Sequence, residues 1–306
     1  MTTILGKYEI ETILGKGKFG TVYKGKRIKD QEPVAIKMEA LPMNSPHSYK
    51  ILKHETTMLN YLQKHNCGKY IPTIYWYGIY NLYPTLVMTY YQNSLEDYMK
   101  YKTIDQEKRN KIMVLLLEIL GKIHKQYVIH RDIKPQNIMM KEGELYLIDF
   151  GLATFYVDDN FKHVECKQET EYILGTPKYI SYNIHEGIEP SRRDDLISLG
   201  YLYMEIMVKT LPWTTIVVDS ANIQMDPTCT MYPLNQERKR LKSYENLCTI
   251  LGQDSRNELG KDSRNELGKE PDPTIIYKYM KACYELEYKE TIDYDEWIRE
   301  FMCSSI

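Results

Sequence analysis

The sequence lacks long hydrophobic runs and lacks cysteine pairs at metal-binding spacing. No segment approaches 18 uncharged apolar residues, and the first 20 residues have no apolar region after a basic start. The six cysteines include no C-x-x-C pair and no His/Cys cluster at zinc-ligand spacing. We therefore expect an intracellular protein, cytoplasmic or nuclear and not secreted, with reduced thiols and no membrane partner.

The sequence also lacks an excess of charge of either sign. It has 40 Lys and Arg residues against 42 Asp and Glu residues, which gives a formal net charge of −2. A chain without a general basic field is not expected to bind nucleic acid or an acidic membrane through net charge. With 306 residues, 43% of them hydrophobic, the chain can bury one large core or two smaller ones. A monomer is the default expectation.

The first third of the chain has the alternating pattern of half-buried antiparallel strands. Strands are predicted at residues 8–15, 21–28, 34–39, 74–80 and 85–89. The last two are expected to be joined through a turn at Pro84. A helix is expected from about 45 to 64, because Leu52, Leu59 and Leu62 recur at helical spacing. These segments predict a small five-stranded lobe with one main helix.

After residue 91 the pattern becomes mainly helical. Helices are predicted at 94–101, 106–126, 193–208, 274–288 and 294–302. The expected fold class is α+β, with a five-stranded antiparallel N-lobe and a mainly helical C-lobe. We expect one domain over residues 1–306, divided into an N-lobe at 8–91 and a C-lobe at 92–302.

Two local features of the second half do not follow the helical pattern. The run DSRNELG occurs at 254–260 and again at 262–268, a period too short for a stacking repeat. We interpret 251–270 as an exposed insertion made by local duplication. The basic cluster Arg-Lys-Arg-Leu-Lys at 238–242 is interpreted as a solvated helix face, with nuclear import as the alternative.

The stretch 128–151, VIHRDIKPQNIMMKEGELYLIDFG, has the densest group of chemically active side chains. Its HRD-x4-N pattern and the DFG that follows resemble the catalytic loop and metal-binding motif of eukaryotic protein kinases. The resemblance implies a bilobal protein kinase-like fold. It also implies that Asp132 accepts the proton of the substrate hydroxyl and that Lys134 neutralises charge on the γ-phosphoryl group. Asn137 and Asp149 would hold Mg²⁺.

Two patterns in the N-lobe agree with this resemblance. The glycine-rich segment G-x-G-x-F-G-x-V at 15–22 lies between two strands, which favours a flap over ATP and not a dinucleotide-binding turn. Glu55 lies on the apolar stripe of the predicted helix, where an unpaired charge would be costly. Lys37 in the VAIK run is the expected partner, and kinases use such a lysine to hold the α- and β-phosphates. The alternative is a surface lysine at a strand edge.

The implied cofactors are ATP and Mg²⁺. Val22, Ala35 and Met139 would line the adenine pocket, and Met88 would close its back. The full set of residues implied in nucleotide binding is Leu14, Gly15, Lys16, Gly17, Lys18, Phe19, Gly20, Val22, Ala35, Lys37, Met88, Thr89, Tyr91 and Met139. Lys37 and Glu55 join Asp132 and Lys134 as the implied catalytic residues.

Several further runs are similar to the casein kinase 1 family. GTPKYISYN at 175–183 stands where most kinases have Ala-Pro-Glu, and SRRDDL follows at 191–196. SLED at 94–97 and LPW at 211–213 also match. The resemblance implies a serine/threonine kinase that is active without activation-loop phosphorylation. Lys134 supports serine/threonine over tyrosine specificity, and Asp195 is expected to bond the backbone of the catalytic loop.

The same resemblance implies protein substrates with acidic or phosphorylated residues near the target hydroxyl. Arg131 and Lys178 match positions that the family uses to hold an anion. Thr154 and Glu171, however, stand where the family typically has lysines. We therefore expect only part of the family's basic patch.

Two other classes of protein have related sequences. A pseudokinase scaffold would have lost one of the residues Lys37, Asp132, Asn137 and Asp149, and all four are present. A small-molecule kinase would lack a full activation segment and the SRRDDL run. The sequence therefore favours an active protein kinase over both alternatives.

Overall fold

The computed structural model describes residues 3–17, 20–39, 51–167, 170–216, 225–253 and 274–304. Residues 254–270 of the insertion predicted at 251–270, the expected start of the first helix at 45–50, and Lys18 and Phe19 all lie outside these residues. The chain forms two compact units. The first combines Met1–Leu95 with Gln136–Ala153, and the second combines Glu96–Pro135 with Thr154–Ile306.

The first unit contains an antiparallel sheet. Its strands are β1 (Thr3–Ile4), β2 (Tyr8–Gly17), β3 (Gly20–Arg27), β4 (Pro33–Glu39), β5 (Ile74–Tyr80) and β6 (Tyr83–Thr89). They lie in the order β1-β2-β3-β4-β6-β5. The five predicted strands are confirmed, and β1 adds a two-residue strand at one edge.

The predicted turn at Pro84 is wrong. Pro84 lies inside β6, where it faces Ile79, and the hairpin turns at Asn81 and Leu82, which both have positive φ. A two-residue turn of this kind matches the twist of the flanking strands. The pairing of β6 with β4 ends at Thr85, so the missing N–H of Pro84 leaves no gap in that ladder.

The two faces of this sheet differ in character. Ile4, Tyr8, Val34, Ile36 and Val87 are buried and form a cluster that fills one face. The residues between them along β4, Ala35 and Lys37, point to the other face because side chains alternate along a strand. The sheet therefore has a core on one side and presents its chemically active residues on the other.

Helix α1 (Ile51–Lys64) is the main helix of the first unit. The predicted stripe of Leu52, Leu59 and Leu62 is buried, together with Glu55. Full burial of each leucine contributes about 1.5–3 kcal/mol relative to exposure. Glu55 sits in this apolar stripe at 0% exposure, so it needs a partner inside the fold.

A second sheet completes the first unit. Its strands are β7 (Asn93–Ser94), β9 (Ile138–Lys141) and β10 (Glu144–Leu147). β9 and β10 form a hairpin whose turn residues, Glu142 and Gly143, both have positive φ. Asn137 precedes this hairpin and Asp149 follows it, so the fold brings two implied metal ligands to the same end.

The second unit is mainly helical. Its helices are α2 (Leu95–Tyr101), α3 (Gln106–Lys125), α4 (Tyr182–His185), α5 (Arg192–Val208), α6 (Pro233–Leu241), α7 (Tyr244–Gln253), α8 (Thr274–Glu285) and α9 (Tyr294–Cys303). β8 (Val128–Ile129) pairs with β11 (Thr154–Phe155). α5 is buried on nearly every side, and α3 and α8 pack against it. Within the described ranges, no helix has the length and apolar character needed to cross a membrane.

The basic cluster at 238–242 is only partly a solvated face. Arg240 is exposed and pairs with Glu237, whereas Lys242 is completely buried. The interpretation of the whole cluster as a solvated face is therefore wrong at Lys242. This lysine directly follows the last residue of α6.

Candidate active site

The strand register lines up several residues of the implied nucleotide site. Gly15 on β2 faces Val22 on β3, and Val22 faces Lys37 on β4. Ala35 faces Met88 in the neighbouring pair. Directly opposed residues share a face of the sheet, so Val22, Ala35, Lys37 and Met88 lie on the face opposite to the apolar cluster.

The glycine-rich turn is sterically constrained at Gly20. Gly17 faces Gly20 at the end of the β2–β3 hairpin, and Lys18 and Phe19 lie outside the described residues. Gly20 has φ of 148°, and a Cβ atom there would lie 2.1 Å from the Met38 carbonyl oxygen. Only glycine fits this approach of two backbones. Leu14 lies at an irregularity between Ile13 and Gly15 and is exposed, as is Lys16.

Lys37 bridges two carboxylates. Its Nζ lies 2.8 Å from Glu55 Oε2 and 2.8 Å from Asp149 Oδ1. Burial disfavours the charged form of Lys37, but the two carboxylates outweigh it and raise the pKa. Burial also raises the pKa of Glu55, against the attraction of Lys37. The predicted Lys37–Glu55 ion pair is present, and it fixes the ammonium group beside Asp149.

Two residues that the sequence reasoning missed hold α1 and the DFG segment. The Glu39 side chain at the end of β4 accepts the N–H of Leu52 in the first turn of α1. His54 Nε2 lies 2.7 Å from the carbonyl oxygen of Ala153. Both contacts depend on chain segments far apart in sequence. Only the position of His54 next to Glu55 could have indicated a role.

Asn137 and Asp149 carry the oxygens suited to a hard cation. The N–H of Ile148 donates to the Asn137 carbonyl at 2.9 Å, which holds the two ends of the β9–β10 hairpin together. Asp149 has φ of 65°, a left-handed conformation that is uncommon for aspartate. Its side chain is 42% exposed. Asn137 is only 5% exposed, so Asp149 offers the accessible oxygens of the pair. Carboxylate and amide oxygens suit Mg²⁺, which keeps waters and phosphate oxygens as ligands.

The described residues contain no larger cluster of metal-binding side chains. In the part of the chain that the structure describes, no three His, Cys, Asp or Glu side chains are placed to hold an ion. A protein-made cage is thus absent from those residues. The pair of Asn137 and Asp149 fits an ion that arrives with a nucleotide.

The remaining residues of the implied adenine pocket lie at the end of β6, in the link to β7 and on β9. Met139 on β9 faces Ser94 on β7, and the Tyr91 ring lies 4.6 Å from the Tyr146 ring. The N–H of Thr89 donates to the Thr73 carbonyl at 3.0 Å. The N–H of Thr89 is therefore already engaged within the fold.

In the second unit, Asp132 lies in a compact polar cluster. Lys134 Nζ is 2.6 Å from Asp132 Oδ2, and the Thr176 hydroxyl donates to Asp132 Oδ1 at 2.7 Å. Lys134 Nζ also lies 3.0 Å from the Thr176 hydroxyl oxygen. Asp132 is buried to 8% exposure. The carboxylate is therefore held in one orientation by a cation and a hydroxyl.

As predicted, Asp195 forms hydrogen bonds to the backbone of the loop that precedes Asp132. Its carboxylate accepts the N–H groups of His130 at 2.7 Å and Arg131 at 2.8 Å. His124 Nε2 lies 3.0 Å from the same carboxylate. Burial disfavours ionisation of Asp195, but these hydrogen bonds and the two histidines lower the pKa. The anion therefore persists inside the unit.

Arg131 and Lys178, the two residues of the implied anion site, have different surroundings. Lys178 Nζ lies 2.5 Å from Glu205 Oε1. Arg131 instead lines a small open cavity with Thr154, Lys167 and Glu189. A second cation that lines this cavity is Lys167. The sequence reasoning missed it because Lys167 lies in a segment without helical or strand periodicity, far from Arg131 in the sequence. Glu171 is not part of the cavity lining.

Comparison with known families agrees with this arrangement. The sequence model of the protein kinase domain matches residues 8–270. The match covers both described sets of active residues, the Lys37–Glu55–Asp149 cluster and the Asp132–Lys134–Thr176 cluster. This chain belongs to the protein kinase domain family.

Proposed function

We propose that this kinase transfers the γ-phosphoryl group of ATP to serine or threonine hydroxyls of protein substrates, as a casein kinase 1-like enzyme. The observation that carries the proposal is the Asp132 carboxylate, held by Lys134 and Thr176 at hydrogen-bonding distance. A carboxylate oriented in this way is suited to accept the proton of an attacking hydroxyl. A lysine beside it is suited to balance charge on the transferred group.

The first unit would bind the nucleotide. Bound Mg·ATP would supply the γ-phosphoryl group, with Asn137 and Asp149 as ligands of the ion. Lys37, oriented by Glu55, would bind the α- and β-phosphates. Backbone N–H groups of the glycine-rich turn would approach the phosphates, and the face that carries Val22, Ala35 and Met88 would contact the adenine. Met139 and the backbone of Thr89 and Tyr91 would complete the pocket.

The casein kinase 1 type is supported by the way the segment after Gly175 is anchored. Ser181 and Asn183, which replace part of the usual Ala-Pro-Glu, both donate hydrogen bonds to the Asp194 carboxylate on α5. This contact holds the segment without the usual glutamate. The unmodified segment already places Thr176 against Asp132, which favours activity without activation-loop phosphorylation.

A preference for acidic or phosphorylated substrates is supported by one part of the surface. Arg131 and Lys167 line the same cavity, so two cations border it. Glu189 lines it as well and weakens the attraction. Lys178 is less suited to this role than the sequence suggested, because its ammonium group is paired with Glu205. We expect a modest preference for acidic sequences.

The Asp132→Asn variant tests the proposed function. Asparagine keeps the shape of the side chain but cannot accept a proton, so phosphate transfer should fall by roughly three or more orders of magnitude while ATP affinity stays within about twofold. Radiolabelled ATP with casein and with a degenerate peptide array measures rate and site preference together. The matched control is Asp159→Asn, an exposed loop residue.

The outcome separates the alternatives. A pseudokinase would show no transfer in the wild-type protein, whereas a tyrosine kinase would label tyrosine on the array. Equal activity of Asp132→Asn and the wild type would remove Asp132 from the mechanism. Phosphatase treatment of the wild-type protein before the assay tests whether the segment needs modification, and unchanged activity is expected.

A further inference from the structure

Lys242 is a fully buried lysine outside the two clusters described above. Its exposure is 0%, and its Nζ donates to the carbonyl oxygens of Pro177 at 2.8 Å and Ile180 at 2.7 Å. The third contact of Nζ is His185 Nε2 at 3.3 Å. Within the described part of the chain, the polar partners of Nζ are these carbonyls and the imidazole, with no carboxylate among them. A lysine in this setting is unusual, because burial of an ammonium group without a counter-charge is costly.

Two aromatic rings lie beside Lys242 Nζ. Nζ lies 5.0 Å from the centre of the Tyr201 ring and 5.3 Å from that of Trp213. Ring faces attract a cation and partly replace the lost water. The backbone of Lys242 is also held, since the Tyr284 hydroxyl donates to its carbonyl at 2.8 Å. An apolar side chain could fill the same space, so packing does not explain why a lysine with a hydrogen-bonding Nζ stands here.

The hydrogen bonds from Nζ to carbonyls both fall on the segment next to Asp132. Lys242 binds the carbonyls of Pro177 and Ile180, and the indole N–H of Trp213 donates to the carbonyl of Lys178 at 2.8 Å. Three carbonyls in four consecutive residues are therefore held by two side chains that also pack on each other. Pro177 directly follows Thr176, whose hydroxyl contacts Asp132.

We propose that Lys242 is a positioning residue that fixes the backbone of residues 177–180 and thereby holds Thr176 against Asp132. The inference rests on the proposed phosphotransfer role of Asp132. A segment held by hydrogen bonds to its carbonyls cannot shift by an ångström without leaving buried acceptors unpaired. Misplacement of this size near reacting groups lowers the rate steeply. Lys242 therefore acts through Thr176 and the segment that carries it.

The test is the Lys242→Met variant, which keeps the length and apolar stem of the side chain and removes the donor group. The matched control is Lys239→Met on the preceding turn, where the ammonium group pairs with Glu186 at the surface. Both are assayed with casein at a temperature where circular dichroism shows them folded. Hydrogen exchange of the backbone amides in 175–181 is measured on the same samples.

We expect Lys242→Met to lower kcat at least tenfold, to leave the KM for ATP within twofold, and to speed exchange in 175–181, with none of these changes in Lys239→Met. A purely structural role predicts a lower melting temperature with unchanged kcat and unchanged exchange in the folded protein, which would overturn the inference. A kcat lowered to the same degree in both variants would overturn it too.

Two further arms keep the test decisive. If Lys242→Met does not fold, Lys242→Leu, which also lacks the donor group and has a shorter side chain, takes its place, and a wild-type kcat in that variant overturns the inference. If the wild-type protein does not phosphorylate casein or any peptide, the proposed function fails, and the exchange measurement then decides alone whether Lys242 orders the segment.

Discussion

The carboxylate of Asp195 accepts the backbone N–H of Arg131 at 2.8 Å, and Arg131 has φ of 69°. A non-glycine residue rarely adopts this left-handed conformation, so the loop before Asp132 is held in a strained shape. The same carboxylate accepts the N–H of His130. A single buried anion on α5 therefore sets the direction in which the next residue, Asp132, presents its side chain.

Asp195→Asn should destabilise the fold and lower phosphate transfer. The amide NH₂ group of asparagine would face one of the two backbone N–H groups, those of His130 and Arg131, and could not accept its hydrogen bond. Loss of the buried, hydrogen-bonded charge should lower the free energy of unfolding by on the order of 3 kcal/mol. Urea unfolding measures the free energy, and the casein assay measures transfer in the folded protein. Asp159→Asn is the exposed control. A variant with wild-type stability would show that the Asp195 charge is not needed.

Tyr294→Phe tests whether α9 supports the catalytic loop. The Tyr294 hydroxyl lies 2.5 Å from His124 Nδ1, and His124 Nε2 contacts Asp195. Gly121 leaves room for the tyrosine ring, since a Cβ there would lie 3.1 Å from it. Removal of the hydroxyl should lower the free energy of unfolding by about 1 kcal/mol. Tyr101→Phe, at an 81% exposed position, should change nothing.

Contacts could be predicted from the sequence where the pattern around a residue showed that its side chain would be buried and would need a partner. Glu55 falls on the apolar stripe of a helix, so a buried carboxylate and its lysine could be predicted from periodicity and the cost of burying a charge, and both are present. The positions of α3, α5, α8 and α9 followed from apolar periodicity in the same way, although α8 ends three residues earlier than predicted. The helices α4 and α7 were not predicted. The hydrogen bonds of Asp195 were implied by resemblance, since no local pattern points to them.

The residues that sequence reasoning missed are defined by contacts across long stretches of chain. Lys242 reaches carbonyls 65 and 62 residues earlier in the sequence, and within its basic cluster it looks like any solvated lysine. The hairpin turn at Asn81 and Leu82 carries no Asn-Gly or Asp-Gly signal, whereas the nearby Pro84 does suggest a turn. In each case tertiary packing decided against the local signal.

His185→Gln should flatten the pH dependence of stability. Burial, with Lys242, Arg238 and Lys239 facing the ring, lowers the pKa of His185 to about 2. The unfolded chain binds a proton near pH 6.5 while the folded chain does not, so this histidine removes stability as pH falls below that value. Between about pH 7.5 and pH 5 the loss amounts to about 2 kcal/mol. Urea unfolding at both pH values measures it, and equal pH slopes for variant and wild type would contradict the effect.

Gly20→Ala should be far more damaging than Gly15→Ala. A Cβ at Gly20 would lie 2.1 Å from the Met38 carbonyl oxygen, whereas a Cβ at Gly15 meets nothing within 4 Å. Relief of the clash would separate β3 from β4, with a cost of about 1–3 kcal/mol. The shift would also move Lys37, so ATP affinity should fall. Thermal unfolding and ATP titration compare the two variants, and equal effects would argue against this steric reason.

Thr154→Lys should raise the preference for acidic or phosphorylated peptides, and Glu171→Lys should raise it less. Thr154 lines the cavity that holds Arg131 and Lys167, so a lysine there adds a third cation, whereas Glu171 is not part of that lining. A lysine in the cavity lining would attract an acidic group of the peptide at short range. The attraction from an exposed lysine outside this lining would be screened more strongly by salt.

The measurement is kcat/KM on paired peptides that differ only in one acidic or phosphorylated residue near the target serine. We expect the selectivity ratio to rise about fivefold for Thr154→Lys and less than about threefold for Glu171→Lys, since one well-placed charge contributes about 1 kcal/mol. The rise should shrink at high salt. Equal gains from the two substitutions would mean that general surface charge, and not the cavity around Arg131, selects the substrate.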